Sequence, residues 1–274
     1  MCYNVQARGL VTVNLPQLVV LALVEGVADI LPIDASAHSL LAARLFGWQT
    51  WPIRVPVHAA TVAALMAYLW RDIAAVGDGL WKLRRARLEP GTRLLAKVLV
   101  AALPWLLVVT GLGTAALPHM SDLAVIGVIT LACAVAMGLA DRLCLTVKRI
   151  EHIGGVTALV VGIVQLLGLV SGVGRMAAAL TAARLLGMER PAAFRYVLLV
   201  SLPVLIERCG RELARYLQQG VHPGAADLLA AGVTFVLVLA AAAIGMSLIR
   251  RGGLIPFAVY RLLFGAALLV LGLL

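Results

Sequence analysis

The sequence predicts an all-α, polytopic integral membrane protein, built as a single membrane domain over residues 1–274. Its residues are 62% hydrophobic and its mean hydropathy is +1.02, whereas soluble domains fill their core with roughly half apolar residues. Long apolar runs recur along the chain, and a duplicated polar element interrupts them. These observations predict an inverted-topology repeat with two re-entrant, broken helical hairpins.

Several apolar runs approach the length of about 20 residues that a helix needs to cross a bilayer. They are Leu94–Leu117, Leu123–Ala140, Val156–Val170, Leu228–Ile249 and Leu254–Leu274. We expect these runs to be helical and to lie in the membrane. A further apolar segment over residues 194–205 is followed by a polar stretch over residues 207–223.

The net charge of +10 follows the pattern of membrane proteins, whose cytoplasmic loops are rich in Lys and Arg. The basic residues cluster in residues 71–97, 142–149 and 250–251. Two predicted crossings separate the first two clusters, so both are expected to face the cytoplasm. Because topology accounts for this charge, we expect a membrane setting and no nucleic-acid partner.

Two polar elements, over residues 23–48 and 163–188, align without a gap at an offset of 140 residues. The matched pairs are Glu25 with Gln165, Arg44 with Arg184, and Gly47 with Gly187. The shared tail reads AARLFG in the first copy and AARLLG in the second. Ionisable residues inside apolar sequence are costly, so the duplication indicates a functional site between two halves of the protein.

The segments beside each polar element are too short to cross a membrane alone. Leu15–Val24 and Ser39–Trp48 each cover about half a bilayer. Pro32 interrupts the first element, and Gly172 and Gly174 interrupt the second. Broken helices at membrane depth are tolerated where the backbone lines a cavity or is buried in protein. With cytoplasmic basic loops, the two copies would enter the membrane from opposite sides.

Glu25 and Asp29 are four residues apart, which places both carboxylates on one face of a helix. Such a pair suits metal ligation or acid/base chemistry, and the alternative is a helix-end pair that faces water. Arg175 lies in the glycine-broken segment SGVGRMA before an apolar helix. Free amides, a helix N-terminus and a guanidinium together favour anion binding. The alternative is an ion pair between Arg175 and one of the carboxylates.

The other polar side chains leave two interpretations each. His38 is either a packing residue or a nucleophile or general acid. Asp34 and Ser36 either orient a ligand or cap the helix that begins near them, and capping is favoured for at least one. For Arg44 and Arg184 we expect the guanidinium to reach the membrane interface. The combination of an arginine, carboxylates and histidine indicates either phosphoryl chemistry with a metal or a proton relay.

Three segments resemble the undecaprenyl-diphosphate phosphatase family of bacterial inner membranes. Residues 25–38 read EGVADILPIDASAH, similar to the family pattern E-G-x-T-E-F-L-P-[IV]-S-S-T-G-H. Residues 171–177 read SGVGRMA, similar to P-G-x-S-R-S-G. Residues 254–261 read LIPFAVYR, which is close to a C-terminal family signature.

The resemblance implies removal of one phosphate from undecaprenyl (C55) diphosphate, which recycles the cell-wall carrier lipid. It implies an inner-membrane location, a pocket open to the periplasm and a divalent cation, Mg²⁺ or Ca²⁺. By position, Glu25 and Asp29 stand for the two motif glutamates and are the expected metal ligands. His38 stands for the motif histidine, and Arg175 for the phosphate-binding arginine. We expect a polyprenyl diphosphate lipid as substrate, and a homodimer is possible.

The predicted site has catalytic and binding groups. The catalytic residues are Glu25, Asp29, Ser36, His38 and Arg175, and the substrate-binding residues are Asp34, Gly172, Gly174 and Arg175.

The chain departs from the family pattern at its serines. Asp34 and Ala35 replace two of them, and Gly174 and Met176 replace the two beside the arginine, while Ser36 remains. A non-catalytic polyprenyl-phosphate binder or transporter on the same fold is therefore the alternative, and a proton-coupled or small-ion transporter is a third.

Overall fold

The computed structural model describes residues 15–47, 54–83, 89–111, 120–144, 148–218, 220 and 224–274. Within these ranges the chain is helical, and its only β pairing is an isolated bridge between Lys148 and Met188. The first six α-helices are α1 Leu15–Leu21, α2 Ala28–Ile30, α3 Ala35–Phe46, α4 Arg54–Tyr68, α5 Trp70–Leu83 and α6 Pro90–Gly111. The remaining six are α7 Leu123–Leu143, α8 Gly155–Val164, α9 Arg175–Leu185, α10 Arg190–Gln218, α11 Ala225–Gly252 and α12 Ile255–Leu273.

The long apolar helices confirm the prediction of an all-α, multi-pass membrane protein. Four described helices, α6, α7, α11 and α12, are long and apolar enough to cross a bilayer. Helices α4 and α5 pass the same test as a pair bent by 78°, which would make a fifth span. The predicted run over residues 156–170 is a shorter apolar helix, Gly155–Leu169. The end of the predicted run over residues 94–117 lies outside the described residues.

The first polar element forms a broken helical hairpin. Helix α1 continues into a π-helix, Ala22–Val27, and then into the short α2. Leu31 has an extended backbone, φ −92° and ψ 156°, because Pro32 follows it and disfavours the helical conformation. Helix α3 then begins after Asp34 and ends at Gly47, which adopts the left-handed conformation with φ 64°.

The second polar element repeats this order of elements. Helix α8 continues into a 3₁₀-helix, Gln165–Leu169, a turn follows, and α9 runs to a positive-φ glycine, Gly187. The turn contains Gly174 at φ 73°, where a Cβ would lie 2.7 Å from the carbonyl oxygen of Ile33. Glycine is therefore required there, because the backbones of the two hairpins approach each other closely.

Helix α9 lies in the centre of the molecule, with nearly all of its residues buried. It packs against α7, α8 and α10. Its N-terminal residue is Arg175, and Arg184 lies near its C-terminus. The hairpin thereby places one buried arginine at each end of a central helix.

The expectation that Arg184 reaches the membrane interface is wrong. Its side chain is 1% exposed, and its Nε donates to Oδ1 of Asp141 at 3.1 Å. Arg190 donates to the same oxygen at 2.8 Å, and the Leu254 amide donates to Asp141 Oδ2 at 3.0 Å. The buried guanidinium is stable here because a carboxylate and a backbone carbonyl oxygen accept hydrogen bonds from it. Arg44, its repeat partner, is exposed.

Helix α10 extends without a break through the first part of the polar stretch after residue 205. It is 29 residues long, and pairs four residues apart, Glu207 with Arg211 and Arg208 with Glu212, lie along it. Such pairs support a helix across polar sequence. The continuation carries charged side chains of α10 to the two hairpins.

Candidate active site

A cavity of about 460 Å³ lies where the two hairpins meet α4, α6 and α10. Its charged lining residues come from both hairpins and from two of these helices. They are Glu25, Asp29, Asp34, Arg54, Arg175 and Arg208. The hydroxyl groups of Ser36, Ser39 and Ser171 and the ring of Trp105 also line it.

Glu25 lies in the π-helix of the first hairpin and is 3% exposed. Its Oε1 accepts a hydrogen bond from the hydroxyl of Ser39 at 2.7 Å and lies 3.3 Å from a guanidinium nitrogen of Arg54. Its Oε2 lies 3.5 Å from Arg208 Nη2. Single π-helical turns are frequent at functional sites, because they redirect side chains out of the regular helix.

His58 lies next to Glu25 and connects it to Glu212, and neither His58 nor Glu212 is among the described residues that line the cavity. His58 is fully buried; its Nδ1 lies 2.5 Å from Oε2 of Glu212, and its Nε2 lies 3.7 Å from Oε2 of Glu25. The imidazole therefore lies between two carboxylates. His58 thus lies within ion-pair range of Glu25 without a hydrogen bond to it, and the short contact of its other nitrogen is to Glu212.

Asp29 joins the two hairpins through Arg175. Nη2 of Arg175 lies 3.4 Å from Asp29 Oδ1, and its Nη1 donates to the hydroxyl of Ser201 at 2.8 Å. The Arg175 guanidinium also lies 5.9 Å from the ring centre of Trp105. The ion pair that the sequence left open as an alternative is thus present. It brings the predicted arginine of the second hairpin to the predicted carboxylates of the first.

The placement of the guanidinium groups favours an anionic ligand. Among the described side chains, Arg54, Arg175 and Arg208 surround Glu25 and Asp29, and with Asp34 the charged lining residues are three positive and three negative. These ion pairs are 3.3–3.5 Å long, beyond the ~2.7–2.9 Å of a strong charged hydrogen bond. The guanidinium groups can therefore turn toward an incoming phosphate.

Asp34 caps α3 and ties it to the second hairpin. Its carboxylate accepts from the amides of Ser36 and Ala37, both at 3.2 Å, and from the Ser36 hydroxyl at 2.8 Å. It also accepts from the amide of Gly172 at 2.5 Å. The favoured interpretation of Asp34 as a cap is confirmed. The Gly172 amide, predicted to bind phosphate, is occupied by Asp34, and Gly174 precedes α9 without lining the described part of the cavity.

His38 points away from the carboxylates. Its ring stacks on Phe264 with a centroid distance of 3.9 Å, and its Nε2 lies 2.6 Å from the hydroxyl oxygen of Tyr260. Its Nδ1 lies 2.5 Å from the carbonyl oxygen of Asp34. It is not among the described residues that line the cavity. The structure therefore does not bring His38 together with Glu25 and Asp29, because α3 turns its ring toward α12.

The divalent cation expected on Glu25 and Asp29 stays a prediction. Among the described residues, no group of three or more His, Cys, Asp or Glu side chains could hold a metal ion. The guanidinium of Arg208 reaches one oxygen of each carboxylate, at 3.5 and 3.4 Å. A cation ligated by both carboxylates needs the space that this guanidinium takes, so the pair as arranged does not fit a bridging metal.

The sequence interpretation missed five residues of this site: Ser39, Arg54, His58, Arg208 and Glu212. Ser39 follows His38 directly within the same polar element, so its position was visible. The spacing of four residues between Arg208 and Glu212 was a signal that the polar stretch is helical. For Arg54 and His58, spacing alone carries no sign that α4 packs against the first hairpin.

Comparison with known proteins identifies the family of the chain. Residues 18–267 match the family described as bacitracin resistance protein BacA. The chain belongs to the BacA family. A family match over nearly the whole chain confirms the resemblance that the three motifs indicated.

Curated relatives of this BacA chain carry the name undecaprenyl-diphosphatase. The undecaprenyl-diphosphatase 1 of Rhodospirillum rubrum is 41% identical over 267 residues, which cover 93% of this chain and 94% of that protein. The undecaprenyl-diphosphatase of Maricaulis maris is 37% identical over 265 residues, covering 94% and 98%. The undecaprenyl-diphosphatase 1 of Paramagnetospirillum magneticum is 34% identical over 264 residues, covering 92% and 96%.

Proposed function

We propose that this chain hydrolyses undecaprenyl diphosphate to undecaprenyl phosphate and inorganic phosphate, because its relatives are named undecaprenyl-diphosphatases. The observation that carries the mechanism is the hydrogen bond between Ser39 and Glu25 inside a cavity with three guanidinium groups. A hydroxyl paired with a base, next to cations that bind phosphate, is the arrangement needed for phosphoryl transfer.

The diphosphate binds against the arginines. Its terminal phosphate accepts hydrogen bonds from Arg175 and Arg208, and Arg54 contributes further positive charge at the Glu25 side. Each guanidinium exchanges a long ion pair with a carboxylate for a shorter bond to a phosphate oxygen. The prenyl tail lies between helices in the lipid, because the chain is a multi-pass membrane protein.

Ser39 attacks the terminal phosphorus, and Glu25 takes the hydroxyl proton. The bond between that phosphorus and the bridging oxygen breaks, and undecaprenyl phosphate leaves. Water then attacks the phosphorus of the phosphoserine, and both of its protons stay on the released phosphate. As the bond to the serine oxygen breaks, Glu25 returns its proton to Ser39, and the site is restored.

This mechanism gives the remaining predicted residues positioning roles. Asp29 aligns Arg175 and Arg208, and Asp34 holds α3 against the second hairpin. The leaving group is itself a phosphate and departs as an anion, so no general acid is required. His38 accordingly supports the packing of α3 on α12, and Ser36 supports the cap.

The setting of the reaction is part of the proposal. We place the chain in the bacterial inner membrane with the cavity open to the periplasm, where the carrier lipid would be recycled, and a homodimer is compatible with this setting. A bound Mg²⁺ or Ca²⁺ would need Glu25 and Asp29 free of Arg208, and no step above uses it. The binder or transporter alternative is not favoured, since it gives no role to the Ser39–Glu25 pair.

A phosphate-release assay tests the function. Purified protein in detergent is incubated with undecaprenyl diphosphate, with chelator and separately with Mg²⁺ or Ca²⁺. The wild type should release phosphate. Arg175→Ala should lower kcat/KM by about 100-fold or more, because two charged hydrogen bonds of about 1.5–3 kcal/mol each are lost. Arg44→Ala, which removes an exposed arginine of the first hairpin, should stay close to wild type. Absence of release by the wild type under every condition would refute hydrolysis.

A further inference from the structure

The guanidinium of Arg208 bridges the two carboxylates of the cavity. Its Nη2 lies 3.5 Å from Oε2 of Glu25, and its Nη1 lies 3.4 Å from Oδ2 of Asp29. The two carboxylates come from one hairpin, whereas Arg208 comes from α10. One positive group thus lies between two acids that are one helical turn apart.

A divalent cation shared by Glu25 and Asp29 would occupy the same position. Mg²⁺ and Ca²⁺ bind carboxylate oxygens at about 2.0–2.6 Å, so an ion shared by both lies between them. The Arg208 guanidinium already lies there. An added ion would also face Arg54 and Arg175, whose charges repel it. The two kinds of cation therefore exclude each other.

Contacts on the side away from the cavity keep Arg208 in this position. Its Nε lies 3.8 Å from Oε1 of Glu212, one turn further along α10. Glu212 is in turn fixed by the buried His58. A guanidinium is always charged at physiological pH and presents a planar fork that matches phosphate oxygens. Positive charge is thus supplied by the chain itself and cannot dissociate.

We propose that Arg208 takes the place of a divalent cation in this chain, so that diphosphate binding and phosphoryl transfer proceed without a metal ion. This inference rests on the proposed hydrolysis. Arg208 touches the terminal phosphate directly, and it balances the charge of Glu25 and Asp29 before the substrate arrives.

Removing divalent cations with a chelator distinguishes a substitute for the metal from a purely structural ion pair at Arg208. Phosphate release is measured for the wild type, Arg208→Gln and Arg215→Gln, first with excess EDTA and then with increasing Mg²⁺ or Ca²⁺. Arg215 is an exposed arginine on the same helix and serves as the matched control. The wild type and the control should keep their rates in EDTA. Arg208→Gln should lose about 100-fold in EDTA and regain about tenfold or more with added cation.

Metal binding without substrate gives a second readout. Mn²⁺ is added to each protein in the absence of lipid, and binding is followed by electron paramagnetic resonance. Arg208→Gln should bind Mn²⁺ at the freed carboxylates, whereas the wild type should not. Asp29→Asn added to Arg208→Gln should remove this binding, which assigns it to the cavity.

The outcomes decide between the inference and the function on which it rests. A wild type that loses activity in EDTA and regains it with Mg²⁺ or Ca²⁺ overturns the inference and leaves the hydrolysis intact. A folded Arg208→Gln protein that no cation rescues also overturns it. If the wild type releases no phosphate at all, the proposed function fails and the metal-free transfer fails with it, and the Mn²⁺ experiment then decides only whether Arg208 excludes a cation from the two carboxylates. Arg208→Lys, which keeps the charge, should remain active in EDTA and covers the case in which the glutamine variant does not fold.

Discussion

Replacing Ser39 with alanine is the sharpest test of the chemistry. The Ser39 hydroxyl donates to Glu25 Oε1 at 2.7 Å, so the substitution removes the proposed nucleophile and leaves the base in place. A second serine hydroxyl of the cavity, that of Ser36, donates instead to the capping carboxylate of Asp34 at 2.8 Å. The two serines line the same cavity on the same helix, and their different partners predict different effects.

The size of the effect follows from what remains after the substitution. Glu25 can still activate water, and the arginines still bind phosphate, so a residual rate is expected. The lost contribution is covalent catalysis, which divides one difficult step into two easier ones, and we expect Ser39→Ala to lower kcat by about 10³, or ~4 kcal/mol. KM should change by about threefold or less, because the substitution leaves the contacts between the diphosphate and the arginines in place.

The assay is phosphate release together with trapping of the covalent intermediate. Undecaprenyl diphosphate labelled in its terminal phosphate is mixed with protein and quenched in acid, and the labelled residue is identified by peptide mapping. The wild type should carry label on Ser39, and Ser39→Ala should carry none. Ser36→Ala is the matched control and should lose about 1 kcal/mol of stability while keeping its label and most of its rate.

Three results would refute this reasoning. Ser39→Ala with an unchanged kcat would show that its hydroxyl is no nucleophile. Label on another residue of a fully active protein would show that the nucleophile lies elsewhere in the cavity. If Ser39→Ala has a low kcat but the wild type gives no trapped intermediate, water attacks the phosphorus directly and Ser39 only orients Glu25.

Three further outcomes are expected. Asp34→Ala should lower the unfolding free energy by about 1–2 kcal/mol through loss of the α3 cap, measured as a lower midpoint of thermal unfolding in detergent. Asp141→Ala should cost about 3–5 kcal/mol by the same measurement, because Arg184 is 1% exposed and would lose its carboxylate; an unchanged midpoint would contradict the buried pair. His38→Phe should keep kcat within about threefold, since a ring of similar shape can stack on Phe264 and the proposed mechanism assigns no proton transfer to His38. A loss of kcat by several orders of magnitude would show that His38 takes part in the reaction.

The membrane fold was predictable because its signals are local. Apolar runs of membrane length predict spans wherever they occur, and α6, α7, α11 and α12 follow such runs. The breaks in the two hairpins were predictable for a similar reason. Pro32 disfavours helix at Leu31, and a glycine without Cβ allows the positive φ at Gly174.

Partners distant in the chain could not be predicted in the same way. Arg184 was expected at the membrane interface because its sequence neighbours are apolar, but Asp141 lies 43 residues earlier and is buried against it. The helical face of His38 decides its partners, and that face is set by how α3 packs on α12 rather than by the polarity of the segment. Arg208 joined the site only because α10 continues as a helix beyond its apolar part.

The two hairpins have the same order of elements but differ in the charge of a matching residue. Glu25 and Gln165 occupy matching positions, Glu25 within the π-helix Ala22–Val27 and Gln165 at the start of the 3₁₀-helix Gln165–Leu169. Gln165 is fully buried and donates to the carbonyl oxygen of Ala101 at 2.7 Å, a bond that a neutral amide can make without any counter-charge. Glu25 carries a charge and is stable in the protein only beside the guanidinium groups of other elements. The two hairpins thus share one order of elements, but Gln165 is satisfied by a backbone carbonyl, whereas Glu25 depends on arginines that lie outside the first hairpin.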